Sequence, residues 1–289
     1  MTTSLPDGLA GRVNRALDPL HSTVYFAPEQ DEELQRVGLR PGRMCYFATR
    51  SAPMGPVPAA VVAATFYNFS PTLIERYIPR AWTLAPVDKI IEGRFAAVDR
   101  TLRRLLGDEA PHAPAVQEAA DLARAATEGL PTEGRPLYAG HAALDWPDAP
   151  HLVLWHAISL LREFRGDGHI AVLLAAELSG VEALVTHTVT HRGFTLPAAK
   201  ATRGWSDDEW DAAVERLRER GVVDEAGELT AAGQRLRADL EAATDRLAAA
   251  PWLTLGVERT QRLVELGKAL SREAVGNGAF PPGVFAAPR

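Results

Sequence analysis

Apolar positions recur every three to four residues through most of the chain. Over 86–106, Val87, Ile90, Ile91, Phe95, Val98, Leu102, Leu105 and Leu106 form one stripe, the pattern of an amphipathic helix. The same periodicity predicts helices over 5–20, 29–37, 43–50, 59–69, 113–128, 150–164, 169–178, 182–190, 196–202 and 255–275. Ser70-Pro71 reads as a helix start, with proline at the first helical position. The run Arg165-Gly166-Asp167-Gly168 predicts a turn, with Asp167 capping the helix that begins at His169. Two Pro/Gly-rich connections, 51–58 and 130–136, separate the helical stretches.

The densest local signals lie in 205–248. Ser206 and Glu209 form an S-x-x-E capping box ahead of Trp210, Val214 and Leu217, which share one helical face. Gly221 stops that helix. Val222-Val223 and Glu228-Leu229-Thr230 predict two short strands around the turn Asp224-Glu225-Ala226-Gly227, and a long helix follows from Ala231. Strand signals are nearly absent elsewhere, so the predicted class is mostly α.

The segments RLRERGVVD (216–224) and LTAAGQRLRADLEAATDRL (229–247) resemble the recognition-helix end, wing strand and following helix of MarR-type winged-helix regulators. The whole chain also resembles a group of actinobacterial helix-turn-helix-fold proteins. The landmarks are CYFATRSAPMGPVPAAVVAATFYNF (45–69), HLVLWHAISLLREFRGDGHIAVLLAAELSG (151–180) and GWSDDEW (204–210). The resemblance implies an N-terminal helical domain over 1–135, a winged-helix-like domain with a two-stranded wing over 136–254, and a C-terminal helix and tail over 255–289. It implies a homodimer paired through 231–248 or 255–275, and it assigns no catalytic residue.

One departure from the MarR pattern bears on function. A recognition helix reads bases with outward residues, and DNA binding needs cations that displace counterions. Here the outward positions are Asp207, Asp208, Asp211, Glu215 and Glu219, and the wing carries Asp224, Glu225 and Glu228. DNA is therefore not the expected partner. The net charge of −6 over 289 residues points the same way and also disfavours anionic membranes. No apolar run approaches the roughly 20 residues of a membrane span. The single cysteine, Cys45, and the polar start MTTSLPDG suit a cytoplasmic protein.

Three constellations could carry chemistry. His151, Trp155, His156, Glu163, Arg165, Asp167 and His169 crowd one stretch. Within it His156, Asp167 and His169 are the candidate catalytic group, because an acid beside an imidazole can orient and charge it. The competing reading is a capping Asp167 with a satisfied histidine partner. Tyr46, Arg50, Tyr67 and Asn68 place polar tips in apolar segments. Arg50 could grip a carboxylate or phosphate, or form a buried structural pair with a carboxylate. His187 and His191, at i and i+4 on a predicted helix, could face one metal ion or be polar helix-end residues.

No nucleotide-binding motif is present. A metal ion stays open, and so does haem, with His156 as an axial ligand. The leading expectation is a small-molecule-binding protein, with or without catalysis, on a winged-helix scaffold that has lost DNA binding. The alternatives are a ligand-responsive transcription regulator and a protein-interaction module.

Overall fold

A computed structural model describes residues 5–191 and 193–286. Its first helices are α1 (Leu9–Ser22), α2 (Pro28–Arg36), α3 (Arg43–Ser51), α4 (Ala59–Phe66), α5 (Pro71–Glu75), α6 (Arg80–Leu84) and α7 (Val87–Leu106). Then come α8 (Pro114–Ala126), α9 (Pro136–Ala142), α10 (Pro150–Ala175), α11 (Gly180–Thr188), α12 (Leu196–Arg203) and α13 (Asp207–Glu219). The last three are α14 (Ala231–Leu247), α15 (Ala250–Leu255) and α16 (Val257–Gly276). Proline at the first turn opens many of them, where a missing N–H costs nothing.

Three apolar clusters organise these helices. The largest joins α1, α7, α8, the first half of α10 and α16, around Trp155 and Trp252. A second gathers α2 to α6 on the start of α7, with Phe47, Phe66, Phe69 and Ile90 inside. A third unites the end of α10 with α11 to α14 around Trp210 and Leu217. Helix α10 contributes to the first and third, so it is the spine that carries both.

That spine corrects the sequence reading. The turn expected at 165–168 does not form; α10 runs unbroken through Gly166, Asp167 and Gly168. Two glycines cost a helix about 1 kcal/mol each, and burial along α10 overrides that. Gly168 has a packing reason: a Cβ there would stand 2.9 Å from Arg135 Nη1. Arg135 lies over the Phe164 ring and donates to the Phe164 carbonyl. Asp167 caps a helix, but not its own. Its Oδ2 accepts from Tyr138 N, 2.9 Å away, in the first turn of α9.

The expected wing strands are also absent among the described residues. Val223 and Leu229 make one isolated antiparallel bridge. Asp224 Oδ1 accepts from the backbone N–H of Ala226 and Glu228, which tightens the turn. Thr230 then caps α14 through Gly233 N, so helix begins before a ladder can extend. The capping box at Ser206 and Glu209 does form, at 3.2 Å and 2.9 Å. A second one, Ser179 with Glu182, starts α11. Helix α16 begins at Val257 because Gly256, at φ 85, breaks it from α15. Among the described residues, no single helix is long and apolar enough to cross a membrane.

Candidate functional site

The 3₁₀ turn Thr23–Phe26 after α1, with α3, α7, α10 and the end of α12, brings an ionic and aromatic cluster to the centre of the molecule. Arg50 reaches Glu163 across the fold with two bonds, Nε to Oε1 at 3.2 Å and Nη2 to Oε2 at 2.9 Å. Arg162 donates to the same Glu163 Oε1 at 2.8 Å and to Asp18 Oδ1 at 2.9 Å. Burial alone would raise the pKa of Glu163, but the two guanidiniums hold it well below the usual carboxylate range. Arg50 also donates to the Tyr46 hydroxyl at 3.3 Å and lies over the Phe66 ring, 4.4 Å from its centroid.

Arg94 sits beside this satisfied core and is not satisfied. It is 1% exposed and has no carboxylate partner; its three nitrogens make no well-aligned hydrogen bond, and the Tyr25 hydroxyl is the acceptor beside them. Its guanidinium lies over Trp155, 4.6 Å from the ring centroid, and the other groups nearby are Tyr25, Glu163 and Arg50. Both nitrogens of His21 and of His156, and Nε2 of His141, are likewise buried without a partner. His21 stacks on Trp155 with centroids 5.0 Å apart. Burial, reinforced by Arg94, brings the pKa of His141 to about 3 and of His156 to about 4, so both rings are neutral at pH 7.

Arg203, at the end of α12, approaches from the other side. It lies over Phe69 and Phe194, and its Nε is buried without a partner. Burial lowers its pKa to about 10, with Tyr46 opposing and Arg50, Arg43 and Arg162 assisting. It remains charged at pH 7.

Tyr25, Tyr46, Arg50 and Arg203 are enclosed by protein, yet each is only half-buried by accessible surface. Arg50 keeps 11% of its side chain accessible and Arg162 keeps 26%. Their accessible faces put these side chains at the edge of the cluster, next to solvent. Aromatic rings flank them in two groups: Tyr25 meets Tyr46 and Tyr46 meets Phe69, while Phe26 meets Phe280 and Phe285. Phe285 stacks on Phe194. The chain end is tied there by Ala286 N to Gly193 O at 2.8 Å and Thr195 N to Val284 O at 3.1 Å.

Of the residues singled out from sequence, Tyr46, Arg50, Trp155, His156 and Glu163 fall in or beside this cluster. The candidate catalytic group is not assembled. His156 and Asp167 are separated by about 16 Å along one continuous helix. Asp167 and His169, two residues apart on it, point to opposite faces. Burial raises the pKa of Asp167 to about 6, and it serves α9. His169 Nδ1 meets Thr244 Oγ1 at 2.8 Å, while burial lowers its pKa to about 4. Arg165 ion-pairs with Glu241 and Asp245 and pins α10 to α14. His151 meets Asp99 at 2.7 Å. The Tyr67 hydroxyl donates to Leu178 O at 2.6 Å, and Asn68 O accepts from Trp205 Nε1 at 2.9 Å. Those contacts join α4 and α5 to the α11–α13 segment.

The metal reading rested on one helix carrying His187 and His191. That helix ends at Thr188, and His191 stands beyond it at φ 53, 3.5 Å from Glu228. Among the described residues no group of three or more His, Cys, Asp or Glu side chains could hold a metal ion.

Arg94, Arg162, Arg203, His21, Tyr25 and His141 were missed. A signal existed for two of them. Arg94 continues the α7 stripe between Ile90 and Val98, and His21 continues the α1 stripe after Leu17. A charged or polar residue on an apolar stripe marks a buried polar group.

Residues 10–281 match a family described as a helix-turn-helix family. The chain belongs to that helix-turn-helix family. No curated protein and no solved structure matches it. A groove of about 490 Å³ runs between α11, α12, α13 and the 225–228 turn, floored by Val185, Trp210 and Val214. The exposed face of α13 is acidic, with Asp207, Asp208, Asp211, Glu215 and Glu219. Its cations are engaged: Lys200 with Asp207, Arg216 with Glu182, Arg218 with Glu215, and Arg220 with the carbonyls of Glu177 and Ala176.

Proposed function

We propose that this helix-turn-helix family member binds a small molecule at the central cluster, and that its helix-turn-helix segment is scaffold rather than a DNA reader. The observation that carries the reading is Arg94, wholly buried with no carboxylate paired to it and only the Tyr25 hydroxyl as acceptor, beside buried histidines without hydrogen bonds. Buried donors without a full set of partners are costly, and each calls for a partner such as an ordered water, an ion or a ligand. The acidic face of α13 and its engaged cations support the scaffold role, because phosphate contacts need free positive charge. The proposal is binding, since His156, Asp167 and His169 do not converge.

Native mass spectrometry of the freshly purified chain, with an absorbance spectrum of the same sample, tests this. A stoichiometric added mass that is lost on denaturation is the expected result. A bare chain mass, together with no shift in unfolding midpoint across a broad metabolite screen, overturns it.

One observation favours a second reading, a ligand-responsive regulator. Arg203 ends α12, Phe194 precedes it, and both border the central cluster, so occupancy there would bear directly on α12. Salt-dependent DNA binding that changes on ligand addition would establish that reading over the scaffold role.

A further inference from the structure

We propose that the groove beside α13 is a binding site for a small organic cation with a flat apolar body. The site is separate from the central cluster and does not rest on the reading of that cluster.

The walls give the first reason. The groove, about 490 Å³, falls within the range of small-molecule pockets, roughly 300–1,000 Å³. Its apolar lining comes from three helices: Val185 of α11, Leu196 of α12, and Trp210 and Val214 of α13, with Phe194 just ahead of α12. Leu196 is 46% exposed, and Phe194 and Val214 are half-buried, so apolar surface faces the space. Covering that surface is favourable. The walls are also pinned. The Ser206–Glu209 box sets the start of α13, and Asp224 tightens the 225–228 turn. Ala286 forms a further wall, held by its N–H on Gly193 O at 2.8 Å. A groove whose walls are already fixed loses little freedom when a ligand enters.

Charge gives the second reason. The rim carries the carboxylates Asp211, Glu225 and Glu228, with Lys200, Arg218 and His191. Its two cations are answered from outside the lining, Lys200 by Asp207 at 2.6 Å and Arg218 by Glu215. Arg218 also stands 3.6 Å from Glu225, and His191 stands 3.5 Å from Glu228. Adding Asp207 and Glu215 to the three acids of the rim, five carboxylates stand against Lys200 and Arg218. The excess is negative. A cation over the apolar floor gains from it, an anion is repelled, and a neutral molecule gains from the walls alone.

The test uses the full chain with naphthylmethylamine as the cationic probe, and naphthylmethanol and naphthoate as neutral and anionic counterparts with the same ring. Affinity is read by calorimetry. The expected result is saturable binding of the amine, about fivefold weaker binding of the alcohol, and weaker binding still of the acid. Asp211 and Glu228 are exposed, so Asp211→Asn with Glu228→Gln leaves the core alone. That double variant should weaken the amine about fivefold and leave the alcohol unchanged. Val214→Trp should block amine and alcohol together by filling the groove. If Val214→Trp does not fold, Leu196→Ala, at an exposed position, should weaken both. Equal binding of the three probes, no binding of the amine, or amine binding unchanged in the groove variants overturns the inference. A basic amphipathic peptide that binds where the amine does not makes the groove a protein interface, and overturns it as well.

Discussion

Around α12 and α13, Arg218 pairs with Glu215 three residues away, Lys200 with Asp207, and Ser206 with Glu209, all at or near the surface. At the centre, Arg50 crosses 113 residues of chain to reach the buried Glu163, and at its edge Arg162 crosses 144 to reach the half-exposed Asp18. Both regions are rich in charge, but the physics differs. A surface pair exchanges water for a partner in high dielectric and gains little. A buried pair gives up most of its hydration, so its members depend on one another, and removing one strands the rest. The outer pairs tune local helix stability. The central ones fix how distant helices meet, and they hold open the question of what answers Arg94.

The largest effect should come from Glu163. Glu163→Ala strands Arg50 in the interior and leaves Arg162 with Asp18 alone. The expected cost is roughly 3–5 kcal/mol of unfolding free energy, the range for breaking a buried pair by removing one partner. Urea denaturation measures it. A loss below about 1 kcal/mol would mean that the centre behaves like the surface, and the contrast between the two regions would be gone.

Acid sharpens the contrast next. The folded-state pKa of His156, about 4, lies below its ordinary value of 6.5. A group depressed in this way contributes stability that is full above 6.5 and is lost as pH falls toward 4. The wild-type chain should therefore lose stability from pH 7 to pH 5. His156→Gln should reduce that loss by roughly 2 kcal/mol at pH 5. His141 and His169 act in the same direction, since burial depresses both. Asp167 acts in the opposite one: its folded-state pKa, about 6, lies above 3.8, so its contribution is present at low pH and is lost as pH rises through 6. An unfolding free energy that is flat from pH 7 to pH 5, in wild type and variant alike, would refute the assignment of buried neutral histidines.

The same divide explains what could be read from the chain. The Ser206–Glu209 box, the α7 stripe and the Ser70-Pro71 helix start are local patterns, written within a few residues, and they appear as expected. The helix-turn-helix resemblance rested on such patterns. The Arg50–Glu163 pair was legible only as two suspicious residues, because no local rule joins positions so far apart. The two errors along α10 and at the wing share a cause. Gly166-Asp167-Gly168 carries turn propensity, yet burial of α10 against α8, α9 and α14 overrides it. Val222-Val223 and Leu229-Thr230 carry strand propensity, yet Thr230 caps α14 first. Propensity is worth tenths of a kcal/mol per residue, and it yields wherever packing or a cap contributes more.

On the outer side, Ser206→Ala should cost roughly 1 kcal/mol, the usual value of a helix N-cap. It removes the acceptor for Glu209 N and the hydroxyl donor to Glu209 Oε2 together. Thermal unfolding checks it. No change would show that the box is geometric only.

The smallest effect completes the comparison. Arg218 and Glu215 are neighbours on α13, with side chains 28% and 56% accessible. A double-mutant cycle with Arg218→Ala and Glu215→Ala should give a coupling below about 0.5 kcal/mol, as for other exposed helix pairs. Raising salt should shrink it further, since exposed charges are screened over about 10 Å. The same cycle between Arg50 and Glu163 should show a coupling several times larger and nearly independent of salt. Similar couplings, or similar salt dependence, would mean that solvent reaches the central pair. The centre would then behave as the outer helices do, and the pair would not be what fixes how α3 meets α10.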